Sequence, residues 1–594
     1  MPLQARMGAT PHAGGCTFRV WAPHAEAVEV RLMPAGGGAG TTHPMSREEN
    51  GTWALDVAGA KAGDAYKLAL RTGDTVLERK DPYARQVTNS AGISIIVDPN
   101  AFDWQGNDFE MPPFNQLVIY EMHIGSFVAR EGETGRFATA LNGLAHLKSL
   151  GINAIQIMPV AEFAGDRSWG YNPADIFAVE SAYGGPEGLK TFVREAHRQG
   201  IAVILDVVYN HFGPSDLDLW RFDGWSESDG GGIYFYNDHR GETPWGRTRP
   251  DYGRPEVRQL IRDNLMLWLA DYHIDGVRFD MTLYIRSIAG AGGDDLPDGW
   301  SLMQALTDDV RSLPRRHIAI AEDMRGLDAI TAPVGGGGAG FHAQWDANFV
   351  HPVRAAVIAT DDAARSMDSV RDAVLHTYGG DAFARVVYSE SHDEVANGRA
   401  RVPYEIAPGD SKGWFAQKRS TLAAGLVLTA PGIPMLFQGQ EFLEGEWFRD
   451  DVPLDWHLRE DYRGIVRLYR DLIALRLNRK GETRGLSGQH VSVLHVNDAA
   501  NVIAFHRWDR HGPGDDVVVL MNFASEARGD YQIGLPAAGL WRLHLNSDSG
   551  FYSAEFANGR GDDLTAVTEA YDGQPASAVA QLPPYSLLIY SLMQ

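Results

Sequence analysis

Between Leu117 and Glu441 the chain carries eight short, almost wholly apolar runs: LVIYEMHIG, INAIQIMPV, IAVILDVVYNH, IDGVRFD, HIAIAED, FHAQWD, RVVYSESHD and IPMLFQGQE. No other feature limits the possible folds so tightly. Each run suits a strand buried on both faces, and helical patterns lie between the runs. In RPEVRQLIRDNLMLWLADYH, Pro255 suits a first helical turn, and Val257, Leu260, Ile261, Leu265, Trp268 and Leu269 make one apolar stripe. Strands alternating with helices predict parallel pairing. Eight such units predict an α/β fold with a closed (β/α)8 TIM barrel.

The flanks read differently. From Phe18 the runs FRVWAP, AVEVRL, GTWALDV and AYKLAL alternate between turns rich in Gly, Pro and Asp, predicting a small β-sandwich. It closes around DPYAR at 81–85, with a boundary near Pro112 and Pro113. After about residue 490 the helical periods stop, and VIAFHRW, DDVVVLMNFA, LWRLHLN and SLLIYSL predict a second β-sandwich. The expected division is 1–110, 111–490 and 491–594.

Charge and cysteine content remove whole classes of function. Lys and Arg total 53 against 77 Asp and Glu, so a formal charge of -24 opposes a nucleic-acid partner. Cys16 is the only cysteine, which excludes an intrachain disulfide and the four-cysteine zinc patterns. The start, MPLQARMGATPHAGG, lacks an apolar signal core, and Pro431, Gly432 and Pro434 interrupt the apolar stretch at 422–437. A cytoplasmic protein with no membrane partner is expected. The glycine-rich segments GAGG near Gly290 and VGGGGAG at 334–340 have no strand-to-helix context with a phosphate-binding lysine, so they read as flexible barrel loops. No cofactor is implied, and no acidic loop of the EF-hand type is present, so no calcium or other metal is expected.

In a (β/α)8 barrel the site forms at the carboxyl ends of the strands. Four polar clusters occupy such positions: Asp206 with Asn210 and His211, Arg278 with Asp280, Glu322 with Asp323, and His392 with Asp393. Taken singly, each carboxylate could cap the following helix or pair with an arginine. Several acids around one barrel mouth are costly unless paired or used, which favours acid/base chemistry. A metal centre is the competing chemical reading, with His123, His211 and His392 converging with Asp206 and Asp393. No HExxH-type pair supports it.

LDVVYNH at 205–211, GVRFD at 276–280, AED at 321–323 and SHD at 391–393 resemble the four conserved regions of the α-amylase family of glycoside hydrolases. YEMHIGSF at 120–127 and SWGYNPADIFA at 168–178 extend the likeness, and the first sandwich resembles the glycogen-binding-type module that precedes the barrel in several members. The resemblance implies that Asp280 is a nucleophile, Glu322 the general acid/base and Asp393 a carboxylate that grips sugar hydroxyls. It implies a retaining mechanism through a covalent intermediate. Arg278 would hold the nucleophile ionised, with Asp206 as its partner. His211 and His392 resemble histidines that hydrogen-bond the sugar, and Tyr171 resembles a stacking platform; buried structural histidines are the bland alternative. As acid, Glu322 needs a pKa above the ordinary value of roughly 4.3, which Asp280 and Asp393 would raise.

The four regions leave open which acceptor takes the glucosyl group. SESHDEVANG at 389–398, PMLFQGQEF at 434–442 and the stretch that follows are similar to branching enzymes, implying transfer of an α-1,4-glucan segment to a 6-hydroxyl. LDVVYNHFGP with Asn210 and YFYNDHRGETPWG are closer to hydrolases of maltooligosaccharides or maltooligosyltrehalose, and MTLYIRSI after Asp280 matches neither. A non-catalytic glucan-binding protein using Trp21 and Trp53 as platforms is a third reading, which the intact Asp280, Glu322 and Asp393 oppose. Both tryptophans also fit a sandwich core.

Overall fold

The computed structural model describes residues 6–36, 39–291, 295–559 and 561–593. Within it, Ile119–Met122, Ala154–Ile157, Ala202–Val207, Gly276–Phe279, Ile318–Ala321, Ala343–Trp345, Arg385–Val387 and Ile433–Phe437 pair in that order and close into a parallel barrel. Each of the eight apolar runs supplies one strand.

Strand periodicity decides what faces the barrel axis. Ile119, Ala154, Ala202, Ile204, Ile318, Ile320, Ala343, Trp345, Ile433 and Met435 form an apolar cluster separate from the one that packs beneath the helices. Their side chains alternate with residues such as Tyr120, Val203, Val277 and Ala319, which belong to the helix-facing cluster. Continuing the inward series by steps of two, Ile119 leads to Glu121, Ile204 to Asp206, Gly276 to Arg278 and Asp280, and Ile320 to Glu322. The interior therefore changes from apolar to charged towards the carboxyl ends of the strands.

The helix read from Pro255 runs to Met266 and continues as a π-helical turn, Leu267–Asp271. All six stripe residues are buried. Asn264 adds a polar contact within that face, donating to the Ile176 carbonyl at 2.7 Å and accepting from the Trp268 indole at 3.0 Å. Around the glycine-rich segments, Gly290 and Ala291 lie in a bend, whereas Gly292 and Gly293 lie outside the described residues. Val334–Gly336 is a single 3-10 turn.

Two antiparallel sheets built between Gly8 and Ile95 precede the barrel, and a six-stranded and a two-stranded sheet between His490 and Leu592 follow it. Trp21 and Trp53 are 8% and 6% exposed, and their indole nitrogens donate to the carbonyls of Asn50 and Ala22. They belong to the core rather than to an open sugar platform. Lys80 ties the first β-region to the barrel by a buried ion pair with Asp175 at 2.9 Å. Among the described residues no helix is long and apolar enough to cross a membrane.

Candidate active site

The side chain of Arg278 organises the barrel mouth. It is fully buried on the fourth barrel strand, directly opposite Asp206 in the strand register, and its Nη1 donates to Asp206 Oδ2 at 2.6 Å. The same nitrogen lies 3.3 Å from Asp280 Oδ1, and Nη2 lies 2.5 Å from Glu322 Oε2. One guanidinium thus contacts three carboxylates from three strands. Trp345, at the end of the sixth strand, underlies it at 4.2 Å from the ring centroid, a cation–π contact in a desolvated setting.

Asp280 is further fixed by Asn210, whose amide donates to Oδ2 at 2.6 Å and to the Asp280 carbonyl at 2.9 Å. Glu322 receives the Met281 backbone N–H at 2.9 Å. Burial, more than neighbouring charge, lifts the Glu322 carboxyl from the ordinary 4.5 to about 8; Arg278 opposes the rise, while Asp280 and Asp393 add to it. Direction and the two acids agree with the sequence expectation; burial, the largest cause, comes with the fold. The Asp393 side chain is 42% exposed against 10% for Asp280 and 3% for Glu322, so it alone of the three faces the open mouth.

Tyr171 arrives from the turn of a hairpin formed by Ala161–Phe163 and Pro173–Val179. Gly170, at φ +94°, permits that turn: a Cβ there would stand 2.2 Å from the Pro159 carbonyl. The Tyr171 hydroxyl donates to Asp206 Oδ2 at 2.7 Å, and its ring stacks on His392 with centroids 5.0 Å apart. His392 lies between acids, with Nδ1 2.7 Å from Glu121 Oε1 and Nε2 3.4 Å from Asp393 Oδ2. Burial disfavours its cation, but Asp393 and Glu121 outweigh that and bring its pKa up to about 9. His211, buried beside Asp280 and bonded to Asn210, stacks against Trp245 at 4.7 Å.

The structure thus gathers Asp206, Asn210, His211, Arg278, Asp280, Glu322, His392, Asp393 and Tyr171 around one mouth. Asp323 is turned aside: Arg286 holds it bidentately at 2.8 Å through both Nε and Nη2. The histidines of the metal reading have protein partners here. His123 gives its two ring nitrogens to Ser126 and to Ser168 or Tyr183, and His392 Nδ1 is committed to Glu121. Among the described residues, His123, His211 and His392 do not form a ligand cluster with the acids.

Sequence reasoning passed over Glu121, Trp345 and Trp245. Glu121 carried a usable signal, an acid on the inward face of an apolar strand. Trp345 carried none, because its role depends on which strand comes to lie beside Arg278.

A buried carboxyl that keeps its proton, next to a carboxylate held by an arginine and an amide, can divide acid and nucleophile roles between two like groups. Family models agree with this architecture: the α-amylase catalytic domain matches residues 124–243, the α-amylase C-terminal all-β domain 493–593, and carbohydrate-binding module 48, the isoamylase N-terminal domain, 6–84. The chain belongs to the α-amylase family of glycoside hydrolases. It is 32% identical over 608 residues to the 1,4-α-glucan branching enzyme GlgB of Corynebacterium jeikeium (strain K411), covering 98% of this chain and 82% of that one. With the 1,4-α-glucan branching enzyme GlgB 2 of Xanthomonas campestris pv. campestris (strain 8004) it shares 33% identity, covering 96% and 80%. The fold superimposes on pullulanase complexed with maltotetraose from Anoxybacillus sp. LM18-11 with a TM-score of 0.76 at 22% identity, over 99% of this chain and 88% of that one.

Proposed function

We propose that this chain is a 1,4-α-glucan branching enzyme whose reaction centre is the Asp280–Arg278–Glu322 group. The observation that carries the reading is the single guanidinium touching Asp206, Asp280 and Glu322, in a chain whose near full-length relatives are named as branching enzymes.

Glu322 donates its proton to the glycosidic oxygen while Asp280 attacks the anomeric carbon from the opposite face, breaking the α-1,4 bond and forming a glucosyl ester. Esterification removes the charge on Asp280, which had helped to raise the pKa of Glu322, so Glu322 now releases its proton more readily. It takes the proton of an acceptor 6-hydroxyl as that oxygen displaces Asp280, giving an α-1,6 bond with net retention. Asp393 grips hydroxyls of the distorted sugar, Tyr171 and His392 form one wall of its subsite, and His211 contributes to the other. Asp206 keeps Arg278 in place. We further assign 1–110 and 491–594 as accessory β-modules and 111–490 as the catalytic unit, in a cytoplasmic enzyme acting on α-1,4-glucan or maltooligosaccharide.

Purified protein incubated with amylose tests the acceptor. Iodine colour should fall and α-1,6 anomeric signals appear while reducing ends barely rise, because each bond cut is replaced by another. One new reducing end per bond cut, without α-1,6 linkages, would replace transfer by hydrolysis; preference for maltooligosyltrehalose would mark the trehalose-releasing alternative.

A further inference from the structure

We propose that the C-terminal β-region holds a divalent transition-metal site of its own, formed by His506 Nε2, His511 Nδ1 and Asp516 Oδ1, and that Zn2+ fits it. His506 lies on the strand Val502–Trp508, Asp516 immediately precedes the paired strand Val517–Asn522, and His511 sits in the loop joining them. The two nitrogens stand 2.8 and 2.9 Å from the same carboxylate oxygen, and all three atoms lie within 4.8 Å of one another.

That spacing is close to a coordination polyhedron. Bonds of about 2.0–2.1 Å around a tetrahedral ion place neighbouring ligand atoms roughly 3.3 Å apart, so a small opening of the cluster admits the ion. Both imidazoles are already oriented. Their planes lie against the Trp508 indole, at centroid distances of 4.5 Å for His506 and 4.8 Å for His511 and within 23° of parallel. His511 adopts φ +66°, an uncommon backbone conformation for a residue with a side chain. The loop is fastened around it, with the Gly512 N–H on Asp516 Oδ2 at 2.8 Å and the Asp516 N–H on the Gly512 carbonyl at 2.9 Å. Oδ2 is thus occupied by the protein while Oδ1 is left to gather the histidines, an outer hydrogen bond of the kind that orients metal-binding carboxylates.

Two imidazoles and one carboxylate suit Zn2+ and neighbouring transition metals rather than Ca2+ or Mg2+, which take oxygen donors. His506 and Asp516 are buried, whereas the His511 side chain is 59% exposed, giving an ion a route in and a position for water. The loop also meets the last strand, since Gly514 donates to the Leu592 carbonyl at 2.9 Å and Leu592 to the Asp516 carbonyl at 3.1 Å. A bound ion would therefore staple the two paired strands and hold the loop that meets the last strand.

Full-length protein stripped with EDTA, titrated with Zn2+ by calorimetry and followed with Co2+ by absorption, tests the site against His511→Ala. That substitution removes an exposed side chain. His506→Gln provides a second route to the same loss, with circular dichroism confirming that both variants fold. The parent should bind one more Zn2+ than either variant, or bind it at least tenfold more tightly, with tetrahedral Co2+ bands that the variants lose. Zn2+ should raise the melting temperature of the parent only. Equal stoichiometry, affinity and Co2+ spectra in parent and folded variants would overturn the proposal.

Discussion

Buried arginines occur at both ends of the barrel, and their donors are satisfied by different means. At the carboxyl ends of the strands, Arg278 is surrounded by Asp206, Asp280 and Glu322. At the amino ends, Arg476 donates to the carbonyls of Ala430 and Gly432, and Arg507 to those of Thr429, Leu486, Gly488 and His490. Arg385 combines the two modes, with Asp346 at 2.9 Å and the Pro431 carbonyl at 2.7 Å. Carbonyl dipoles cannot titrate, so the lower arginines lock the segment entering the eighth strand. Carboxylates can take and give protons, and in the proposed reaction the upper arginine poises chemistry. Burial, with Arg385 adding to it, brings Arg476 down to about 9, whereas the acids around Arg278 overcome burial and push its pKa up.

Substitutions at the two ends should accordingly fail in different ways. Asp280→Asn keeps the shape beside Arg278 and Asn210 but cannot form the ester, so turnover should fall by about 10^4-fold or more with little change in melting temperature. Activity within tenfold of the parent would remove Asp280 from the chemistry.

Glu322→Gln should lose about 10^2- to 10^4-fold on natural glucans and recover part of the first step on substrates with an acidic leaving group. Its stability should move the other way. With a folded pKa of about 8 against the ordinary 4.5, the native carboxyl favours its proton more than the unfolded one does. The stability this contributes is complete below 4.5 and lost as pH rises towards 8, a loss that glutamine avoids. The variant should therefore match the parent near pH 4 and exceed it by roughly 1–3 kcal/mol at pH 8, read from melting curves. A constant difference across that range would place the titration elsewhere.

Arg476→Met reverses the pattern. Two buried carbonyls lose their donors at about 1–3 kcal/mol each, so the melting temperature should drop by several degrees while kcat of the folded enzyme stays within about twofold. A large loss of kcat without loss of stability would erase the distinction between the two ends. The smallest effect is expected from Asp393→Asn on the pH profile. The basic limb of kcat/KM, set by Glu322 near about 8, should move downward by less than about one unit, because one of the charges that raise that pKa is gone. An upward move would contradict the assignment.

Much of this was readable in the chain, for a physical reason. A strand buried on both faces must be apolar, so each of the eight runs announced itself, and a polar residue on its inward face marked the mouth. What could not be read were partnerships made by closure. Glu121 and His392 are 271 positions apart and meet only when the barrel is formed. The pairing of Asp323 with Arg286 likewise could not be told from a place in the site, since both acids of the AED segment end the same strand. For Trp21 and Trp53 residue type already favoured the core over a sugar platform, and sheet packing encloses both.

In the proposed reaction Asp280 carries the glucosyl group between donor and acceptor. The most direct measurement is intact-protein and peptide mass spectrometry after reaction of Glu322→Gln with a fluorinated glucosyl fluoride, whose good leaving group bypasses the missing acid and whose ring fluorine slows release. A single glycosyl adduct should form, mapped to the peptide bearing Asp280 and absent when Asp280→Asn is added. An adduct on Asp393 or Asp206, or turnover with inversion and no adduct, would contradict it.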